Sequence, residues 1–238
     1  MKILIVGASK GLGRAFVEGL PNDGDTIFGV SRSVPDPFEL QAEVEVEWIT
    51  ADMSTYRTAV DTIDSAVSEI DVLIYNLGIW EETSFSPDYD FVHTPDEENI
   101  QLIDTNIIAA ILLIKRLIPK MLTSAKPQIV LVGSTSGMAN AGQPEVSFGA
   151  SKHALRGIAD ALRVGYKADR LAVTLLQIGD LNTDDPLSMP VEQANERFDG
   201  AMIPMHDGVA ILKTAINLSS TSFVKEIVLP PLMDTRYF

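Results

Sequence analysis

Apolar residues recur along this chain with two alternating periods, short unbroken runs and longer stretches of helical spacing. Ile3-Leu4-Ile5-Val6 is the first run, the pattern of a strand buried on both faces. It breaks at Gly7-Ala8-Ser9-Lys10-Gly11-Leu12-Gly13 and resumes with helical periodicity through Ala15, Phe16, Val17 and Leu20. Thr26 to Val30 reads as a second strand ending in Ser31-Arg32-Ser33, and Val46 to Thr50 as a third ending in Ala51-Asp52-Met53. Between them, Val34 to Glu45 holds two prolines and alternating acids, as expected of a loop or one weak helix. Thr55 to Ile70 has an amphipathic helical pattern, and Val72 to Tyr75 is a fourth strand closed by Asn76-Leu77-Gly78.

Residues 80 to 98, rich in Glu, Asp, Ser and Pro, read as a surface excursion. A helix is expected from about Asn99 to Leu122, with Asn106 set among Ile107, Ile108, Ala109 and Ala110. A polar amide in an apolar helix face is either solvated or bonded to something specific, and these neighbours argue for burial. Ile129 to Val132 is a fifth strand running into Gly133-Ser134-Thr135-Ser136-Gly137, and a helix follows over Ala150 to Lys167. The sixth strand is Leu171 to Ile178, the last helix His206 to Leu218 and the last strand Glu226 to Leu229. Such regular alternation implies right-handed crossovers and a parallel sheet, an α/β fold of about seven strands in one domain over 1–238.

A chain of 238 residues with mean hydropathy +0.15 can bury a large core. Its net charge of −15 argues against a nucleic-acid partner, which would need clustered Lys and Arg. The absence of cysteine excludes disulfides, thiolate metal sites and a Cys nucleophile. His93, His153 and His206 are scattered without ligand spacing, so no metal is expected. The four apolar residues before Gly7 are too few for a signal-peptide core, and Ile107 to Ile114 is too short for a membrane span. A cytoplasmic protein with no membrane partner is the expectation.

Candidate chemistry sits at the strand ends. A strand, a glycine-rich turn and a helix in that order make a phosphate cradle, because glycines admit the pyrophosphate to the backbone and the helix N-terminus offers free N–H groups. The spacing is G-x-x-x-G-x-G. At the end of the second strand, where NAD-binding folds place an acid for the ribose 2′-OH, this chain has Arg32, with Lys10 in the nearby turn. NADP(H) is therefore expected over NAD(H). The segment from Gly133 to Lys152 sets hydroxyls at a strand end against an ammonium on the next helix, a pair able to polarise a carbonyl.

Together these residues resemble the short-chain dehydrogenases/reductases, over nearly the whole chain. The resemblance is carried by Gly7-x-x-x-Gly11-x-Gly13, Asp52-Met53, Tyr75-Asn76-Leu77-Gly78, Asn106, Leu117-Ile118-Pro119-Lys120-Met121, Ser134 and the segment ending in Lys152. It implies a Rossmann-type doubly wound sheet, a nicotinamide cofactor and hydride transfer on a small-molecule substrate. Asp52 is then expected at the adenine ring, Asn76 and Gly78 beside the cofactor, and Lys152 on the nicotinamide ribose. Gly179 and Thr183 follow the sixth strand, Thr183 at the carboxamide. Gly179 is preceded by Ile178 where the family has Pro, and the common aspartate–diglycine ending is absent. The resemblance also makes 180–204 a substrate lid and implies a homodimer or homotetramer, built on the helices carrying Asn106 and Lys152.

In that family a Ser, a Tyr, a Lys and an Asn form the active centre. Ser134, Lys152 and Asn106 match three of them; Thr135, thirteen residues before Phe148, is the runner-up for the hydroxyl. The Tyr position itself holds Phe148, which has no proton to give. Four readings follow. The chain is a reductase that takes its proton elsewhere, with conjugate reduction of an enone fitting best. Or Phe148 is a Tyr-to-Phe replacement in an ordinary carbonyl reductase. Or the chain binds NADP(H) as a sensor or scaffold without turnover. Or it runs unrelated lyase or isomerase chemistry on this scaffold.

Overall fold

A computed structural model describes residues 1–139 and 141–234. The strands pair laterally, since buried backbone groups are satisfied only by neighbouring strands. These are β1 (Lys2–Val6), β2 (Thr26–Ser31), β3 (Glu45–Thr50), β4 (Val72–Tyr75), β5 (Gln128–Val132) and β6 (Ala172–Ile178). Two-residue strands β7 (Leu181–Asn182) and β8 (Ile203–Pro204) pair apart from the main sheet, and β9 (Glu226–Leu229) completes it. The main sheet has seven strands, all parallel, in the order β3-β2-β1-β4-β5-β6-β9.

The strands' two-residue period divides the core. Leu4 and Val6 face one apolar layer, Ile3 and Ile5 the other. The first layer is covered by α2 (Tyr56–Ala66), α4 (Ala109–Met121) and α5 (Val146–Gly165), through side chains such as Ile63, Leu113 and Leu155. The second is covered by α1 (Gly11–Gly19) and α7 (Met205–Ile216), through Phe16 and Leu212. Each buried side chain of this size contributes roughly 1.5–3 kcal/mol. Between these lie α3 (Asp96–Ile103), which precedes α4, and the short α6 (Val191–Glu196) between β7 and β8.

Helix ends depart from the apolar pattern where tertiary partners decide them. The stretch expected as helix to Ile70 stops at Ala66, and Val67 turns extended while Val67 and Ile70 stay buried. Lys120 caps that end by donating to the carbonyls of Asp64 and Val67, the latter at 2.9 Å. The helix expected from Asn99 starts three residues earlier, with Asp96, Glu97 and Glu98 in a first turn whose dipole favours acids. It then widens into one π-helical turn over Asp104–Ile108 before α4 continues. The segment from Val34 to Glu45 enters β3 without a helix, and α5 starts at Val146 rather than Ala150.

From β3 at one edge the chain crosses back to β4 on the far side of β1. The loops after β1 and β4 therefore diverge, leaving a crevice at the carboxyl ends of the strands.

Candidate active site

That crevice is a cleft of about 470 Å³. Gly7, Ser9, Lys10, Arg32, Asp52, Met53, Asn76 and Gly78 all line it, so eight of the residues singled out in the sequence converge there. The glycine turn needs its glycines. Gly7 and Gly11 adopt φ of +82° and +53°, in the left-handed region. At Gly13 a Cβ would collide with the Gly7 carbonyl. The side-chain amide of Asn76 donates to that carbonyl at 3.2 Å, tying the β4 loop to the β1 turn. Gly11, Leu12 and Gly13 open α1 there, and the Leu12 side chain turns into the core, leaving its backbone toward the turn. Lys10 at the helix N-cap makes no side-chain cap bond.

Asp52 accepts from the Ser54 N–H at 2.9 Å; hydrogen bonds from Ser54 hold its carboxyl below the usual carboxylate range, and Arg32 adds a smaller pull. Among the described residues neither Arg32 nor Lys10 forms an ion pair. The two cations thus remain available beside a cradle of free N–H groups, a donor set that fits a dinucleotide with a ribose phosphate. Thr183 stands beside the turn, its methyl 3.4 Å from where a Cβ on Gly11 would sit. Gly179 backs onto Pro230 and Pro231 instead of the cleft.

At the end of β5, Ser134 caps a short 3-10 turn over Thr135–Gly137, its hydroxyl accepting from the Ser136 N–H at 3.1 Å. Ser134 is half-buried, whereas Thr135 is 3% exposed. Gln177 of β6 fixes the backbone, its side-chain oxygen accepting from the Ser134 N–H at 3.0 Å. The turn presses on α5 at Lys152, where a Cβ on Gly137 would come within 2.8 Å of the lysine backbone. Lys152 is buried, its ammonium donating to the Val132 carbonyl at 3.3 Å and lying 5.4 Å from the Phe148 ring centre. Burial pulls it down to about 8. A Cβ on Gly78 would stand 3.0 Å from the ammonium, so Lys152 reaches toward the loop that lines the cleft.

Asn106 lies in the π turn and is fully engaged. Its amide donates to the Ile79 carbonyl at 2.8 Å and the Ser151 hydroxyl at 3.0 Å, and its oxygen accepts from the Ile79 N–H at 2.9 Å. It therefore clamps the loop after β4 to α5, one position from Lys152. The π turn also frees the Thr105 carbonyl, which accepts from the buried Tyr75 hydroxyl at 2.8 Å.

Several site residues carried no sequence signal. Glu81 is completely buried and caps α5, accepting from the N–H groups of Ser147 and Phe148 at 3.0 and 3.1 Å. Glu145, 3% exposed, reaches the other way and accepts from the Phe85 N–H at 2.8 Å. The Val146 N–H donates to the Tyr89 hydroxyl at 2.9 Å. In the sequence both glutamates look like members of a solvated acidic surface; only their pairing across some sixty residues sets them apart. Phe148 is buried beneath Trp80 and Phe85, all three rings edge to face.

Comparison with known proteins bears on this arrangement. A family model described as short chain dehydrogenase matches residues 1–193. The 3-ketodihydrosphingosine reductase of Bacteroides thetaiotaomicron is 31% identical over 183 residues, covering 76% of this chain and 64% of that relative, just under two thirds of it. The NADPH-dependent pterin aldehyde reductase of Arabidopsis thaliana is 30% identical over 76% of this chain and 75% of its own length. A crystal structure of 3-oxoacyl-[acyl-carrier protein] reductase from Brucella melitensis superposes with a TM-score of 0.72, at 19% identity over 96% of this chain and 89% of that one. Glycine turn, crevice and sheet order agree with that likeness. The chain belongs to the short-chain dehydrogenase family of oxidoreductases.

Proposed function

We propose that the chain is an NADP(H)-dependent reductase whose oxyanion-stabilising group is the Lys152 ammonium, acting on a conjugated carbonyl compound. The observation that carries this is the setting of Lys152: buried, lowered to about 8, and facing the Phe148 ring where the family resemblance expects a phenol. Arg32 and Lys10, unpaired at the cleft, support the phosphorylated cofactor, as does the NADPH dependence of the plant relative. When bound, the cofactor supplies a hydride.

In this reading the chain's residues handle charge at the substrate oxygen. Hydride arriving at the β-carbon of an enone pushes the π electrons onto oxygen, giving a delocalised enolate. Lys152 donates a hydrogen bond to that oxygen, Ser134 supports it, and the α-carbon then takes a proton from water. A simple ketone would instead form a localised alkoxide that needs a proton at once, and Phe148 has none to give. Asn106 positions the loop and α5 around Lys152. The packing of Phe148 against Trp80 and Phe85, edge to face with both, supports its being native here. The β7–β8 pairing closes the base of 180–204 and supports its role as a lid. Half-buried Ala154, Ile158 and Leu162 on α5 and exposed Ile111 on α4 support a homodimer or homotetramer.

Following NADPH absorbance with a panel of enones and ketones tests the reading. Enones are turned over and matched ketones are not, and Phe148→Tyr gains ketone turnover. Tight NADPH binding with no oxidation of it by either protein would leave a silent binder and sink the proposal. Arg32→Ala weakens NADPH binding by about tenfold or more and leaves NADH unaffected, since an Arg–phosphate contact contributes roughly 1.5–3 kcal/mol.

A further inference from the structure

We infer that Trp80, Phe85 and Phe148 form a receptor wall for a flat aromatic ring carried by the substrate beside its reducible group. The inference deepens the reductase reading and rests on it for where the reacting group lies. Phe148 is buried at the head of α5, yet its two partners leave about half their surface open, Trp80 at 57% and Phe85 at 51%. Ring centres are 5.2 Å apart for Phe85 and Phe148, 6.4 Å for Trp80 and Phe148, and 6.1 Å for Trp80 and Phe85, with interplanar angles of 66° to 90°. Edge-to-face packing of this kind leaves ring faces free to receive a further ring by stacking or by edge contact.

Three observations mark the wall as built for a ligand. Phe85 holds φ of +61°, a conformation that a bulky residue adopts only when its surroundings impose it. It is held there by Glu145, a buried carboxylate that accepts the Phe85 N–H while its second oxygen has no hydrogen-bond partner among the described residues. Glu81 in turn locks the Phe148 backbone to the same excursion. Two buried acids thus fix two aromatic residues, one of which stays half exposed. Trp80 also lines the cofactor cleft, so one ligand can touch the wall and the cleft together.

Charge narrows the ligand. Lys152 is the cation at this spot, two carboxylates lie beneath the wall, and the molecule carries a net −15. A neutral ligand suits it, with its carbonyl oxygen toward Lys152 and an aromatic ring conjugated to the reacting double bond laid against Trp80 and Phe85. An anionic chain does not.

Benzylideneacetone and its cyclohexyl analogue, equal in bulk but differing in flatness, test this. Binding to the NADP⁺-loaded protein, which has no hydride to give, is measured by calorimetry. Emission of Trp80 is followed in a Trp48→Phe background, which removes the other tryptophan. The aryl compound quenches Trp80 and binds about tenfold more tightly than the cyclohexyl one, a preference lost in both Trp80→Leu and Phe85→Leu. Equal affinity for the two rings, binding without quenching, or a preference that survives in both variants overturns the wall. The outcomes also separate the wall from the reaction. Aryl binding and quenching without NADPH oxidation keeps the wall and removes the reductase, whereas equal NADPH oxidation with both compounds does the reverse.

Discussion

Lys152 pays for its position with solvation. Burial lowers its ammonium to about 8 against an unfolded value near 10.4. Below pH 8 the lysine is charged in both states, and the buried charge is a standing cost to the fold. Between about 8 and 10.4 the folded lysine has lost its proton while the unfolded one keeps it, so the unfolded state binds more protons and this group's contribution to stability rises with pH. Lys152→Met, similar in shape and uncharged, should raise the stability of the free protein at pH 7 by about 1–3 kcal/mol, flatten that alkaline rise and abolish reduction. Denaturant melts at pH 7 and pH 10 check the first two. The charge on the same ammonium governs the reaction: reduction of an enone at saturating NADPH should fall as pH climbs through the lysine's value, and a rate flat into strong alkali would remove Lys152 as the group that stabilises the enolate.

Elements show where sequence reading reaches and where it stops. Runs such as Ile3–Val6 and Ile129–Val132 became strands because burial on both faces depends only on the residues in the run. The glycine turn and the cleft residues followed from the same logic, since their chemistry is local to a strand end. Helix ends did not follow, because distant side chains set them: Lys120 for α2, and Glu81 for α5 from across 66 residues. Asn106 was legible as a buried amide with a specific partner, but the π turn and the bond to Ile79 needed the fold. The capping role of Glu81 is directly testable. Glu81→Ala leaves the Ser147 and Phe148 N–H groups without an acceptor and should cost about 2–4 kcal/mol, whereas Glu81→Gln keeps an acceptor and should cost less than about 1.5. Thermal melts of both variants measure this, and equal losses would show that the carboxylate charge, rather than the cap bond, holds the helix.

Across the whole molecule the question is whether attraction or repulsion between charges prevails. Acids outnumber Lys and Arg by 33 to 18, and the described ion pairs are mostly on the surface. Lys2–Glu69 and Arg116–Asp61, with both partners well exposed, contribute little and are weakened by salt. Pairs with a buried carboxylate, such as Arg197–Asp185 and the N-terminus with Asp25, act at contact distance, far inside the Debye length, and salt weakens them less. Repulsion among the excess acids acts over longer distances, and the Debye length falls from about 30 Å at 0.01 M to about 10 Å at 0.1 M. Added salt therefore removes more repulsion than attraction. The melting temperature at pH 7 should rise by about 2–4 °C between 10 and 300 mM NaCl, the shift expected of roughly 1 kcal/mol in a chain of this size. A fall over that range would mean that the exposed pairs outweigh the excess charge, and that the acidic surface is held together by its few cations.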